Sequence, residues 1–143
     1  MYYARLWFSF RGRINRAKYW TITVVNLAVL FVLFFIGYAT HSIAAFTAAG
    51  IAFVPVFVSG LAIAVRRLHD RNKSAWWLLL FFVLPAVLHA VRDELLRFPE
   101  VMAYFLAFAC AVLSAIISLW ALVELGFLRG TRGPNHYGPD PVI

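Results

Sequence analysis

Few side chains in this 143-residue sequence could do chemistry, and most of them fall in three short polar segments. The segment Arg66-Arg67-Leu68-His69-Asp70-Arg71-Asn72-Lys73-Ser74 sets a histidine and a carboxylate among four cations. His69 and Asp70 could act as an acid–base pair or as metal ligands. Adjacent positions seldom aim both side chains at one ion, and a metal site needs further ligands that the neighbourhood lacks. Asp70 is therefore expected to pair with one of the surrounding cations, and no enzymatic activity is expected without a nucleophile. The lone Cys110 excludes an intrachain disulfide and a four-cysteine zinc site. No cofactor or metal is implied.

The second polar segment is the tail from Gly130 to Pro141, dense in glycine and proline. Such a density forbids helix or strand and specifies turns. Asn135 and Asp140 favour a folded tail, expected to dock on the loop around His69 and on the N-terminal segment. It is not a phosphate-binding P-loop, because no Gly-Lys-Ser/Thr follows. The third segment is the basic N-terminus, with Arg13 and Arg16 followed by Tyr19 and Trp20. Tyr3, Leu6, Trp7, Phe10, Ile14 and Ala17 fall on one helical face, which predicts an interfacial amphipathic helix that anchors the chain.

Two ionisable groups lie in apolar runs, where such groups are functional candidates by default. Glu124 stands near the end of the last run, within reach of Arg129 or of Arg66 and Arg67, so a structural ion pair is expected, with a proton or ion site as the alternative. His89 is near the outer end of another. Asn26 and Thr23 are expected to hydrogen-bond between helices.

These groups are positioned by elements that can be read from composition. The chain is 64% hydrophobic and 13% charged, with a mean hydropathy of +0.83. Soluble domains have roughly 45–50% apolar and about 25% charged residues, so a water-soluble enzyme is excluded. The N-terminus lacks the pattern of a secretory signal peptide. Apolar runs over 19–39, 43–65, 75–91 and 101–125 contain neither Lys nor Arg. They predict an all-α, single-domain membrane helix bundle with four spans, because backbone inside lipid must bond within its own segment.

Lys and Arg orient the spans. Arg5, Arg11, Arg13, Arg16 and Lys18, then Arg66, Arg67, Arg71 and Lys73, then Arg129 and Arg132 would share one side, against Arg92 and Arg97 on the other. Both termini are thus expected in the cytoplasm. The net charge of +7 is explained by a cytoplasmic face beside anionic lipid, without nucleic acid. Small residues form stripes at Ala103, Ala107, Ala111, Ser114, Ser118 and Ala121, and at Ala44, Ala48 and Ala52. These predict close helix packing, with homo-oligomerisation as their alternative use. Pro55 and Pro85 are expected to kink their helices.

Three ordered motifs carry a family resemblance: F-x-G-R-x-x-R-x-x-Y-W from Phe10 to Trp20, R-R-L-H-D-x-x-x-S-x-W-W from Arg66 to Trp77, and G-T-x-G-x-N-x-Y-G-P-D-P from Gly130 to Pro141. In these the chain resembles domain-of-unknown-function family 805, small bacterial inner-membrane proteins. Ala75 stands where that family often has Gly, and the stretch from Ser74 to Gly126 is longer than in its short members. The resemblance implies an inner-membrane protein with a motif-rich cytoplasmic face and no assigned activity. The residues of that face expected to bind a protein partner or anionic lipid are Arg13, Arg16, Trp20, Arg66, Arg67, His69, Asp70, Asn135 and Asp140. The alternative is a small oligomeric channel or transporter that uses Glu124.

Overall fold

Apolar runs and their caps determine the helices. In the computed structural model, which describes residues 2–141 and their side chains from residue 5 onward, α1 (Tyr2–Phe8), α2 (Arg16–Thr40), α3 (Ile43–Asp70), α4 (Leu84–Leu95) and α5 (Val101–Leu122) follow in order. A π-helical turn, Leu79–Val83, leads into α4, and another, Val123–Phe127, extends α5. Among the described residues there is no strand, only a single bridge between Asn135 and Gly138.

Three helices, and not clearly four, are long and apolar enough to cross a membrane. They are Arg16–Thr40, Ile43–Asp70 and Val101–Phe127, of 25, 28 and 27 residues. At about 1.5 Å per residue each exceeds the roughly 30 Å hydrocarbon core. The run expected over 75–91 is helical only from Trp77, passes into the π turn and ends in the 12-residue α4 beside Arg92, Asp93 and Glu94. Pro85 contributes to the interruption. Its missing N–H would have bonded the Phe81 carbonyl, and Phe81 lies within the widened turn, where Leu84 N–H reaches back to the Leu79 carbonyl. Around Pro55, by contrast, α3 continues as one element.

The chain divides into two units, residues 1–73 with 129–143, and residues 74–128. In the first, α2 and α3 form an antiparallel hairpin. His41 takes a left-handed conformation (φ 49°) and donates its N–H to the Gly37 carbonyl, while the Ser42 side chain caps α3 by accepting the Ala45 N–H. As expected for Asn26, a polar bond ties the pair: its Nδ2 donates to Ser59 Oγ at 3.1 Å, and both residues are buried. Ile14, Ile22 and Ile63 form a small core, covered by Leu6, Trp7 and Tyr19.

The N-terminal segment is not the continuous amphipathic helix expected. α1 ends at Phe8 and packs on α3, and Arg66 Nη2 donates to the Leu6 carbonyl. Gly12 then takes a positive φ of 86°, which ends any helical register, and Asn15 starts α2 afresh by accepting the Lys18 N–H. Of the expected apolar face, Ile14 is buried, whereas Phe10 and Ala17 are exposed. Tyr3 lies outside the residues whose side chains are described.

The second unit is the hairpin of α4 and α5. Its packing uses the predicted small residues Ala103, Ala107, Ser114 and Ala121, all buried, with Ala111 half-buried. Ser118 is exposed and Ile117 takes its place, because steps of three and four along one face reach 114, 117 and 121. Ser114 Oγ lies 2.9 Å from His89 Nε2. Phe81, Trp77 and Trp120 meet at ring-centroid distances of 5.4–5.7 Å. In α3, Ala44 and Ala48 stay exposed and Ala52 half-buried, so that stripe does not serve the α2–α3 contact as predicted for close packing.

Candidate functional site: a buried arginine–aspartate hub

All three polar segments meet at one end of the first unit, around Asp70. As the last residue of α3, Asp70 is placed by 28 residues of continuous helix, and its side chain is only 4% exposed. Oδ1 accepts from Arg13 Nε at 3.1 Å and Nη2 at 2.9 Å, while Oδ2 accepts from Arg67 Nη1. Arg67 stands one turn earlier on the same helix, an i,i+3 pair. The expected pairing with a neighbouring cation is therefore present, and a second cation comes from 57 residues away.

Arg13 is the organising group. Its side chain is 1% exposed, and beyond Asp70 it donates to the carbonyls of Thr131 and Gly133, each at 2.6 Å, and of Gly138 at 3.3 Å. These five hydrogen bonds use the full donor inventory of a guanidinium, which no other side chain can match. Gly12 and its left-handed backbone swing the chain so that Arg13 points inward beside the buried Ile14.

The tail docks on the end of α3 as predicted. Thr131 N–H donates to the Asp70 carbonyl at 2.8 Å, and its hydroxyl donates to the same oxygen at 3.1 Å. Asn135 Nδ2 donates to the His69 carbonyl and to Thr131 Oγ1, both at 2.9 Å, and Asn135 Oδ1 accepts the Tyr137 N–H. Asp140 Oδ2 accepts the Gly133 N–H at 2.9 Å and closes the turn. Arg71 Nη1 donates to the Arg129 carbonyl. Among the described residues, no buried side-chain nitrogen or oxygen lacks a hydrogen-bond partner.

His69 and Asp70, the pair considered for acid–base or metal chemistry, face different partners. His69 Nδ1 lies 3.2 Å from the Gly12 carbonyl, and its ring stacks on Tyr137 at 3.9 Å with planes 4° apart. Trp20, one turn into α2, packs its ring edge-on to Tyr19. Arg66 is buried and holds α1 through Leu6, whereas Arg16 is exposed at the start of α2. Glu124, 3% exposed, lies in the second unit within the π turn Val123–Phe127.

Gly130 and Tyr137 were not among the expected site residues. A Cβ on Gly130 would sit 2.0 Å from Asp70 Oδ2, so only glycine lets the tail approach. The sequence signal was present in the Gly-Thr pair of the third motif, but glycine there reads equally as a turn residue.

Beside this hub is a cavity of about 390 Å³, bounded by the first turn of α2, the end of α3 and the tail. Four arginines line it: Arg16, Arg67, Arg129 and Arg132.

Known proteins are similar to this chain over most of its length. The inner membrane protein YhaH of Escherichia coli is 30% identical over 141 residues, with 94% of this chain and 88% of the relative covered. The uncharacterized protein YiiR of the same organism is 31% identical, covering 93% and 86%, and the inner membrane protein YhaI is 29% identical with the same coverage. No solved structure matches the chain. With helices of membrane-spanning length and relatives of this kind, the chain is a multi-pass inner-membrane protein. Residues 7–139 match the family described as Protein of unknown function (DUF805), which takes in the first two motifs and the third as far as Pro139, and the chain belongs to that family.

Proposed function

We propose that the protein is a non-enzymatic membrane module with four crossings and both termini in the cytoplasm, whose polar end binds anionic lipid. The observation that carries this reading is the convergence of three basic segments on Asp70 at one end of the first unit. Arg13 and Arg67 are consumed in building that end, which leaves exposed cations such as Arg5, Arg11 and Lys18 to meet headgroup phosphates.

Connectivity supports the fourth crossing. The residues on either side of the second unit are held together, since Arg71 donates to the Arg129 carbonyl. A chain that leaves and returns at one place crosses an even number of times, which supports a crossing by the arm from Trp77 to Leu95 beside a membrane-spanning α5. The same argument pairs α2 with α3, because Arg16 and Asp70 line one cavity. The distribution of Lys and Arg then favours the polar end as the cytoplasmic one.

The test is native mass spectrometry of the protein released from nanodiscs that hold equal phosphatidylglycerol and phosphatidylcholine. The wild-type chain should retain phosphatidylglycerol preferentially, and an Arg5→Gln/Arg11→Gln/Lys18→Gln variant should lose most of that preference. Equal retention of the two lipids by the wild type would overturn the reading. The rival, a small oligomeric channel or transporter, is favoured by the buried Glu124 in a π turn, a geometry common at functional sites. For that reading Glu124→Gln should abolish ion flux into liposomes, and equal flux in both proteins counts against it.

A further inference from the structure

We propose that the arginine-lined cavity beside the hub is a specific site for a phosphate group, closed on one side by the tail. This rests on the reading of the polar end as an anion-binding face, and it names where and how one anion is held.

The cavity draws its cations from three parts of the sequence: Arg16 from α2, Arg67 from α3, and Arg129 and Arg132 from the tail. Its acids are Asp70 and Asp140. Four guanidinium groups against two carboxylates leave two positive charges in excess, or three with Arg13, which stands behind Asp70. Both carboxylates are already engaged, Asp70 by Arg13 and Arg67 and Asp140 by the Gly133 N–H. The acids therefore hold the walls, and the field inside is positive.

Arginines gathered round one cavity from α2 and the tail suit a tetrahedral anion, whose oxygens can accept from separate forks, while Arg67 stays on Asp70 and adds its charge to the wall. Asn15 and the first turn of α2 also border the space. The Asn15 side chain caps the Lys18 N–H, so the positive end of the α2 dipole adds to the arginines instead of replacing them. A volume of about 390 Å³ falls within the roughly 300–1,000 Å³ range of small-ligand sites and exceeds what a bare anion needs. A phosphoester with a small substituent fits this description. It could come from a lipid headgroup or from a soluble compound, and the chemistry of capture is the same.

The experiment uses the full chain in phosphatidylcholine nanodiscs, with two probes: inorganic phosphate followed by calorimetry, and a trace of phosphatidylglycerol followed by native mass spectrometry. The informative variant is Arg129→Gln/Arg132→Gln, because both residues are exposed, unlike the buried Arg67 that builds the hub. Arg92→Gln/Arg97→Gln, in the second unit and away from the cavity lining, serves as the charge-matched control. Saturable phosphate binding, weakened about tenfold or more in the tail variant and unchanged in the control, supports the site with a soluble ligand. One phosphatidylglycerol that resists delipidation in the wild type and control but leaves the tail variant supports it with a lipid. If neither a saturable phosphate nor a single retained lipid is found, the site is overturned, even where a general preference for anionic lipid persists. Saturable phosphate binding without such a preference would instead keep the site and overturn the lipid-surface reading.

Discussion

Arg13 shows why residue type and not charge alone matters at the polar end. Five donors in a fixed fork meet one carboxylate and three tail carbonyls. Removing one member of a buried, hydrogen-bonded ion pair costs about 3–5 kcal/mol, because the partner stays buried without compensation. Arg13→Gln should lower stability by about that amount in denaturant unfolding of the solubilised protein. Arg13→Lys should recover only part, since an ammonium has three donors for positions that use five. A wild-type midpoint for Arg13→Gln would show the hub to be dispensable. The same reasoning changes how binding must be probed: Arg13 and Arg67 build the platform, so their loss would remove binding by unfolding it, and exposed arginines are the informative targets. Gly130 belongs to this scale too. Gly130→Ala drives a methyl into Asp70 and should release the tail, detected as faster hydrogen exchange at the Thr131 and Gly133 amides with little change in helix content. Unaltered exchange at those amides would contradict the close approach.

At the scale of elements, the helices are joined by a few polar bonds set in apolar faces. Lipid offers helices no hydrophobic drive to associate, so such bonds and small-residue packing carry much of the specificity. Asn26 with Ser59 does this between α2 and α3, and Ser114 with His89 does it between α4 and α5. A double-mutant cycle on Asn26→Ala and Ser59→Ala should yield a coupling of about 0.6–1.7 kcal/mol. A coupling of zero would leave the hairpin to its two-residue turn and side-chain packing alone. The π turn ahead of Pro85 shows another element-level adjustment, in which a missing donor is accommodated by widening one turn. Replacing Pro85 with Ala restores that donor and should convert Leu79–Val83 to α-helix. Amide chemical shifts that stay unchanged beyond the substitution site would argue against that cause.

For the whole molecule, the four-crossing topology proposed above is the reading to test. It predicts that the turns at 41–42 and 96–100 lie on the side of the membrane opposite to Ser9 and Pro134. Single cysteines at His41 and Phe98, in a Cys110→Ser background, should react with an impermeant thiol reagent from outside intact cells. Cysteines at Ser9 and Pro134 should react only after permeabilisation. Protection of Phe98→Cys in intact cells would remove the fourth crossing.

Much of this was legible in the residues. Hydropathy and run length identify an all-helical membrane protein, since the apolar runs over 19–39, 43–65 and 101–125 are long enough to span a bilayer and free of Lys and Arg. Turn-forming residues foretold a folded tail, and Asn26 foretold a bond between helices. The tertiary structure alone decided which charges are structural. Arg13 and Arg11 are both arginines in one basic run, yet Gly12 sends one inward and leaves the other exposed. Partnership across 57 and 118 residues depends on where the chain returns, and no local pattern encodes that distance. Likewise, the arginines that line the cavity lie on α2, α3 and the tail, and only folding brings their charges together at one place.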